Sequence, residues 1–287
     1  GTFAHEVFEN VIHCFLEEQP VDWAPFQQNE FWSEALRDHV IDAAQHAIDA
    51  VIEAKQRCND PLVLVERRLD FSPWVPEGFG TGDLVIVTDD LLEVMDLKFG
   101  KGIPVMAENN SQMRLYGLGA LNELGHLYDI KRVRMTILQP RLNNYDSEEI
   151  SAVELLTWAE AYVKPRAEQA WAGEGEFVPG EHCTSGFCRA RFQCPARAQQ
   201  ALAVARSDFA LKAPEMLTRE QLVDVLSKAD MAIKWLQDVQ ALTPLTIASQ
   251  ATASASQWSV LGQAKRFGPC QLDYETPTQL HCLRWWV

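Results

Sequence analysis

GTGDLVIVTDDLLEVMDLKFG, residues 80–100, is the stretch on which the fold turns. Its apolar, β-branched runs at 83–88 and 91–99 suit two strands, and Asp89 with Asp90 supplies a two-residue turn between them. With residues 88 and 91 facing each other, counting back along both strands sets Asp83 directly across from Asp96 on one face. Two carboxylates about 5 Å apart at Cβ repel each other, and a divalent cation would remove that penalty. Lys98, two residues beyond Asp96, shares the acidic face. A plain alternative is open to these three residues: a strand cap, a strand-end acid and its salt-bridge partner. Against it, Val85, Val87, Leu92 and Val94 flank the acids while Leu84, Ile86, Met95 and Leu97 occupy the other face, so the sheet is expected to be covered on both sides. Paired acids beside a lysine inside a covered layer suit metal-assisted phosphodiester hydrolysis.

Outward from the hairpin, residues 3–18 carry Phe3, Val7, Phe8, Val11, Ile12 and Phe15 at helical spacing, which puts His5 and Glu9 one turn apart. Residues 31–56 read as a long amphipathic helix, 62–71 as the first strand, 108–127 as a helix with Gln112 and Tyr116 on one face, 133–138 as a strand and 151–171 as a helix. The succession αβββαβ predicts an α/β fold: a mixed central sheet flanked by helices. Glu66, in LVLVERRLDF, reads either as a third active-site acid or as a solvated partner of Arg67 or Arg68.

Taken together, GTFAHEVFE with His5 and Glu9, then Gly82, Asp83, Asp96, Lys98, Gly100 and Gly102, then Gln112 and Tyr116 in QxxxY, resemble the PD-(D/E)XK nuclease superfamily in its RecB-like branch. The pattern is most similar to phage and prophage nuclease proteins akin to the CRISPR-associated adaptation nucleases, and it covers residues 1 to about 200. The resemblance implies a PD-(D/E)XK restriction-endonuclease-like core and a metal-dependent DNA nuclease, a phage-type exonuclease of recombination or end processing. It implies Mg²⁺ or Mn²⁺ held by His5, Asp83, Asp96 and the Leu97 carbonyl. Lys98, Glu66, Gln112 and Tyr116 would complete the catalytic set with the two aspartates. Implied partners are DNA, as linear duplex or single-stranded ends, and a single-strand annealing protein. A non-catalytic nucleic-acid-binding or scaffold protein with this fold, and a nuclease acting on RNA, are the alternative readings. Gly100 and Gly102, around Lys101, either let a nucleic-acid backbone approach or make an ordinary turn.

The chain's 287 residues can bury a full core, with a nuclease domain at 1–200 and a helical appendage and ill-defined tail at 201–287. No run is apolar enough to span a membrane and no signal peptide is read, so a cytoplasmic protein of a bacterial host or phage-infected cell is expected. The net charge of −15 sits poorly with a DNA partner, whose footprint is normally basic. Arg67, Arg68, Lys98, Lys101 and the trio Lys131, Arg132 and Arg134 are expected to gather near the acids as a local basic channel.

Seven cysteines without a secretory signal suggest thiols and metal ligands rather than disulfides. Cys183, Cys188 and Cys194, the last followed by Pro195, read as ligands of zinc or an iron–sulfur centre, with buried thiols as the alternative. The family resemblance implies a [4Fe-4S] cluster with an incomplete ligand set in this chain, the fourth place missing or taken by His182 or Cys14. Residues 217–242 read as an amphipathic helix with a Thr218-x-x-Gln221 capping box.

Overall fold

The computed structural model of the chain describes residues 2–180, 182–185, 188, 191–192, 194–208 and 218–250. Residues up to Ala167 form one compact unit and those from Glu168 onward a second.

The first unit opens with α1 (Thr2–Leu16), the short α2 (Ala24–Gln27) and α3 (Glu34–Arg57). Val7, Phe8, Val11 and Ile12 are the buried stripe of α1, while α3 buries Val40, Ala44, Ala47 and Val51. Ser33 caps α3 by accepting a hydrogen bond from the Leu36 N–H at 3.1 Å. Strands β1 (Leu62–Asp70), β2 (Phe79–Val87) and β3 (Leu91–Leu97) follow, then α4 (Ser111–Leu124), β4 (Arg132–Gln139) and β5 (Asn144–Ser151). They make a five-stranded mixed sheet in sequence order, with β3 and β4 parallel and every other neighbouring pair antiparallel.

The β2–β3 register is the one read from the sequence: Leu84 pairs with Met95 and Val87 with Leu92, closed by the Thr88 N–H on the Leu91 carbonyl at 2.9 Å. Both faces are covered. Leu84, Ile86, Met95 and Leu97 pack with the apolar stripes of α1 and α3, and α4 lies on the acidic face. It lies close because Gly119 lets it: a Cβ there would stand 2.8 Å from the Leu69 Cβ.

The structure departs from the sequence reading at β5 and at the start of α4. Residues 144–151 form a fifth strand, unread because NYDSEEIS is an edge strand with little apolar signal and alternating exposure. The helix placed at 108–127 is the shorter α4, because Asn110 caps it, its side chain accepting from the N–H groups of Gln112 and Met113 at 3.1 and 3.2 Å. The helix placed at 151–171 is present as one continuous run, α5 (Ala152–Trp158), a π-helical turn (Ala159–Val163) and α6 (Lys164–Ala172), with Ser151 as its cap.

In the second unit, α7 (His182–Ser185), α8 (Pro195–Asp208) and α9 (Arg219–Gln250) follow. Arg197 on α8 is buried and bonds Asp238 on α9 at 2.6 Å and the Arg191 carbonyl at 2.9 Å. The tail from residue 257, with Cys270 and Cys282, and Arg189 and Leu217 lie outside the described residues. Among the described residues, no helix is long and apolar enough to cross a membrane.

Candidate active site

Three adjacent strands carry one acid each at the same level. On β1 and β2, Val65 pairs with Leu84 and Arg67 with Gly82, so Glu66 stands across from Asp83; on β2 and β3 the continued register sets Asp83 across from Asp96. Glu66 has a left-handed backbone, φ 49°, in the middle of its strand. For a non-glycine residue that conformation costs roughly 1–3 kcal/mol and persists only where the surroundings enforce it. The Glu66 carboxyl lies close enough to that of Asp83 to interact with it. Glu66 is therefore one of the clustered acids, while Arg67 turns instead to Glu123 at 2.7 Å and Arg68 lies over the Phe79 ring.

Burial pushes the Asp83 carboxyl well above the ordinary carboxylate range, the nearby Asp96 charge adds to it, and the Leu97 N–H, 2.5 Å from Asp83 Oδ2, opposes it. Glu66 is raised by burial and then by the charge of Glu9. His5, in the first turn of α1, brings Nε2 to 3.6 Å from the same Asp83 oxygen. The sheet thus holds a crowded set of acids under like-charge pressure.

Lys98 is tied to that row through Gln112. Its ammonium lies 2.8 Å from Asp96 Oδ2 and donates to Gln112 Oε1 at 2.7 Å, while the Gln112 amide donates to Asp96 Oδ1 at 3.2 Å and to the Tyr116 hydroxyl at 2.9 Å. Asp96 Oδ2 is buried and makes no hydrogen bond, so its contact with Lys98 is a charge contact off the hydrogen-bonding direction. Burial, with Asp96 next, holds the Tyr116 phenol protonated far above its ordinary value. Helical spacing of four places Gln112 and Tyr116 side by side, and Asn110 fixes the turn from which they project.

Gly80 makes room for Tyr116: a Cβ at Gly80 would stand 2.3 Å from the ring. Gly80→Ala is expected to cost about 1–3 kcal/mol by overpacking, read from denaturant unfolding. Adding Tyr116→Ala to that variant should recover part of the loss; no recovery would place the strain elsewhere.

A cavity of about 500 Å³ opens on this constellation, lined by His5, Asp83, Asp96, Lys98, Gln112 and Tyr116 and by residues of the segment after β3, among them Phe99, Ile103 and Val105. That segment is held by residues the sequence did not single out. Gln139 accepts from the Val105 N–H at 3.0 Å, Asn144 donates to the Val105 carbonyl at 2.9 Å, and Asp146 accepts from the Ala107 N–H at 2.6 Å. Two of these three lie on β5, which carried no readable signal.

The expected basic channel does not form. Arg132 pairs with Leu91 and Arg134 with Glu93, at the opposite end of the strands from Asp96, which pairs with Ile137. Five residues of strand separate Arg132 from the Asp96 level, roughly 16 Å, and three separate Arg134 from it, roughly 10 Å. Lys131, Arg132 and Arg134 are moreover bound to acids: Asp129 for the first, Asp90 and Glu149 for the second, Glu149 and Glu93 for the third. Lys98 remains at the site, and Lys101 is exposed on the segment beside it.

Among the described residues, no three His, Cys, Asp or Glu side chains converge as a ready-made metal cage. For the acid row, the donor chemistry still fits a hard cation: carboxylate oxygens and an imidazole gathered at one level, a buried carboxylate oxygen without a hydrogen bond, and a carboxyl raised by its like-charged neighbour. Cys183 is buried and Cys188 and Cys194 are half-buried, in a stretch only partly within the described residues, and no step is derived from them. Residues 1–267 match the family model described as "Protein of unknown function (DUF2800)".

Proposed function

We propose that this chain, which belongs to the DUF2800 family, is a metal-dependent deoxyribonuclease of the PD-(D/E)XK type, acting as a phage-type exonuclease in recombination or DNA-end processing. The observation that supports the reading is the row Glu66, Asp83 and Asp96 across three strands, with Lys98 bound to the last of them at the mouth of a cavity. Neither a solvated strand nor an inert scaffold gains from burying acids against one another.

Asp83, Asp96, the Leu97 carbonyl and His5 would hold Mg²⁺ or Mn²⁺, which when bound polarises a phosphate and lowers the pKa of water. The chain's own groups do the rest. Lys98 orients the attacking water and offsets charge that develops on the phosphate. Gln112 sets the direction of Lys98 and Asp96 together, since one amide touches both, and Tyr116 fixes that amide in turn. Asp83 is aimed by the Leu97 N–H and faced by His5. The water oxygen bonds to phosphorus as the bond to the 3′ oxygen breaks, leaving a 5′ phosphate.

Incubation with end-labelled linear DNA and with closed circular DNA, in Mg²⁺ or Mn²⁺, tests the reading. Loss of label from the linear form with the circle left intact is the expected result. Nicking of the circle would make the enzyme an endonuclease, and two untouched substrates would remove the proposal.

A further inference from the structure

Glu148, on β5, grips both sides of the turn that aims Gln112. Its Oε1 accepts from the Asn109 N–H at 3.2 Å and from Arg114 Nη2 at 2.6 Å, and its Oε2 accepts from Arg114 Nε at 3.1 Å. Asn110, the cap of α4, and Gln112 lie between those two anchor points in the chain. The Arg114 and Glu148 side chains are each 11% exposed, so this is a two-bonded and largely desolvated pair, which holds an arginine in direction as well as in place. Asn109 has a left-handed backbone, φ 54°, a conformation that a non-glycine residue keeps only where its surroundings hold it. The bond to Glu148 is such a hold.

We propose that Glu148 is a positioning residue for the reaction: it fixes the first turn of α4, and through that turn the direction from which Gln112 meets Lys98 and Asp96. The inference rests on the nuclease reading above and adds to it a residue that does not line the cavity. The sheet explains why β5 can do this. Asp146 pairs with Ile137 and Ile137 with Asp96, and Glu148, two residues beyond Asp146, points to the same face as the acids. The Gln112 amide bonds to Asp96, Lys98 and Tyr116 at once, so a small rotation of its turn disturbs all three contacts. A Glu148 that served the fold alone would act on stability. One that aims Gln112 acts on the rate, and only while Gln112 is present.

Removing Glu148 alone strands the Arg114 charge in a desolvated place and destabilises the fold by itself. The test therefore combines Glu148→Met with Arg114→Met, which takes away both charges and the acceptor for Asn109 while keeping apolar volume, and sets beside it Glu148→Gln, which keeps an oxygen for both bonds. With labelled linear DNA and Mn²⁺, the paired Met variant is expected to lose roughly 10-fold in kcat, part of the about 100-fold that a misplacement of about 1 Å can cost, with KM for DNA unchanged. Glu148→Gln should keep most of the rate. In a Gln112→Ala background the paired Met change should cost nothing further, because its effect runs through Gln112. Additive losses, or a folded paired variant with the kcat of wild type, would overturn the inference. A second readout needs no turnover: the two side-chain N–H signals of Gln112 in ¹⁵N-labelled protein, identified by their loss in Gln112→Ala. In chelator they should move toward those of a free glutamine amide in the paired Met variant and stay in place in Glu148→Gln. Signals that do not move would overturn the positioning even in an active enzyme, whereas a wild type that cleaves nothing while the signals move would remove the nuclease reading and, with it, the catalytic use of Glu148.

Discussion

Asp83→Ala, Asp96→Ala and Lys98→Ala are each expected to bring DNA cleavage down to background while the protein still folds. The two aspartates face each other across the β2–β3 hairpin and supply the carboxylates proposed to hold the cation. Removing either leaves an incomplete ligand set. Lys98 touches Asp96 and Gln112, whereas Lys131, Arg132 and Arg134 lie at the far end of the strands. The loss of one positioned donor in such a site is worth roughly 100-fold or more. Gln112→Ala should fall between these and wild type, because Lys98 and Asp96 keep their direct contact when the amide is gone. Initial rates on labelled DNA at saturating Mn²⁺ measure all four. Full cleavage by any one of the first three would contradict the site.

The second large effect is on stability. Asp83 holds its proton to higher pH in the folded chain than in the unfolded one, because burial and the Asp96 charge disfavour its ionised form. The folded state therefore binds more protons between the ordinary carboxylate value and the raised one, and stability falls as pH rises through that window. Below it the penalty is absent. Asp83→Asn keeps an oxygen for the Leu97 N–H but carries no charge, so in chelator at neutral pH it should be more stable than wild type by up to about 1 kcal/mol, the scale of facing charge pairs. At low pH the difference should close. Metal should act in the opposite sense to the mutation: a cation at 100 times its dissociation constant adds about 2.7 kcal/mol to wild type and far less to Asp83→Asn or Asp96→Ala. Thermal melts at two pH values, with chelator and with Mn²⁺, read both halves. A wild type indifferent to millimolar metal would argue against a cation site.

The hairpin was legible because its two apolar runs and the Asp89–Asp90 turn allow one register, and that register alone brings Asp83 to Asp96. The Gln112–Tyr116 pair was legible from helical spacing. The rest was hidden for identifiable reasons. Nothing about a glutamate announces the left-handed backbone of Glu66. Strand β5 is a polar edge strand with no apolar period, so Asn144 and Asp146, which hold the cavity wall, carry no signal in the sequence. The basic trio was misplaced because sequence proximity to a strand does not say which end of the sheet it reaches; the parallel pairing of β3 and β4 sends the start of β4 away from Asp96.

On the proposed function, the acid row with Lys98 is a metal-dependent phosphodiesterase centre. The most direct measurement is side-by-side digestion of one labelled linear DNA by wild type and Asp96→Asn, each with Mn²⁺ and with chelator, followed by identification of the product end. Cleavage by wild type in Mn²⁺ alone, leaving 5′ phosphates, is the predicted result. Equal cleavage by wild type and Asp96→Asn, or none by wild type under any cation, would contradict it.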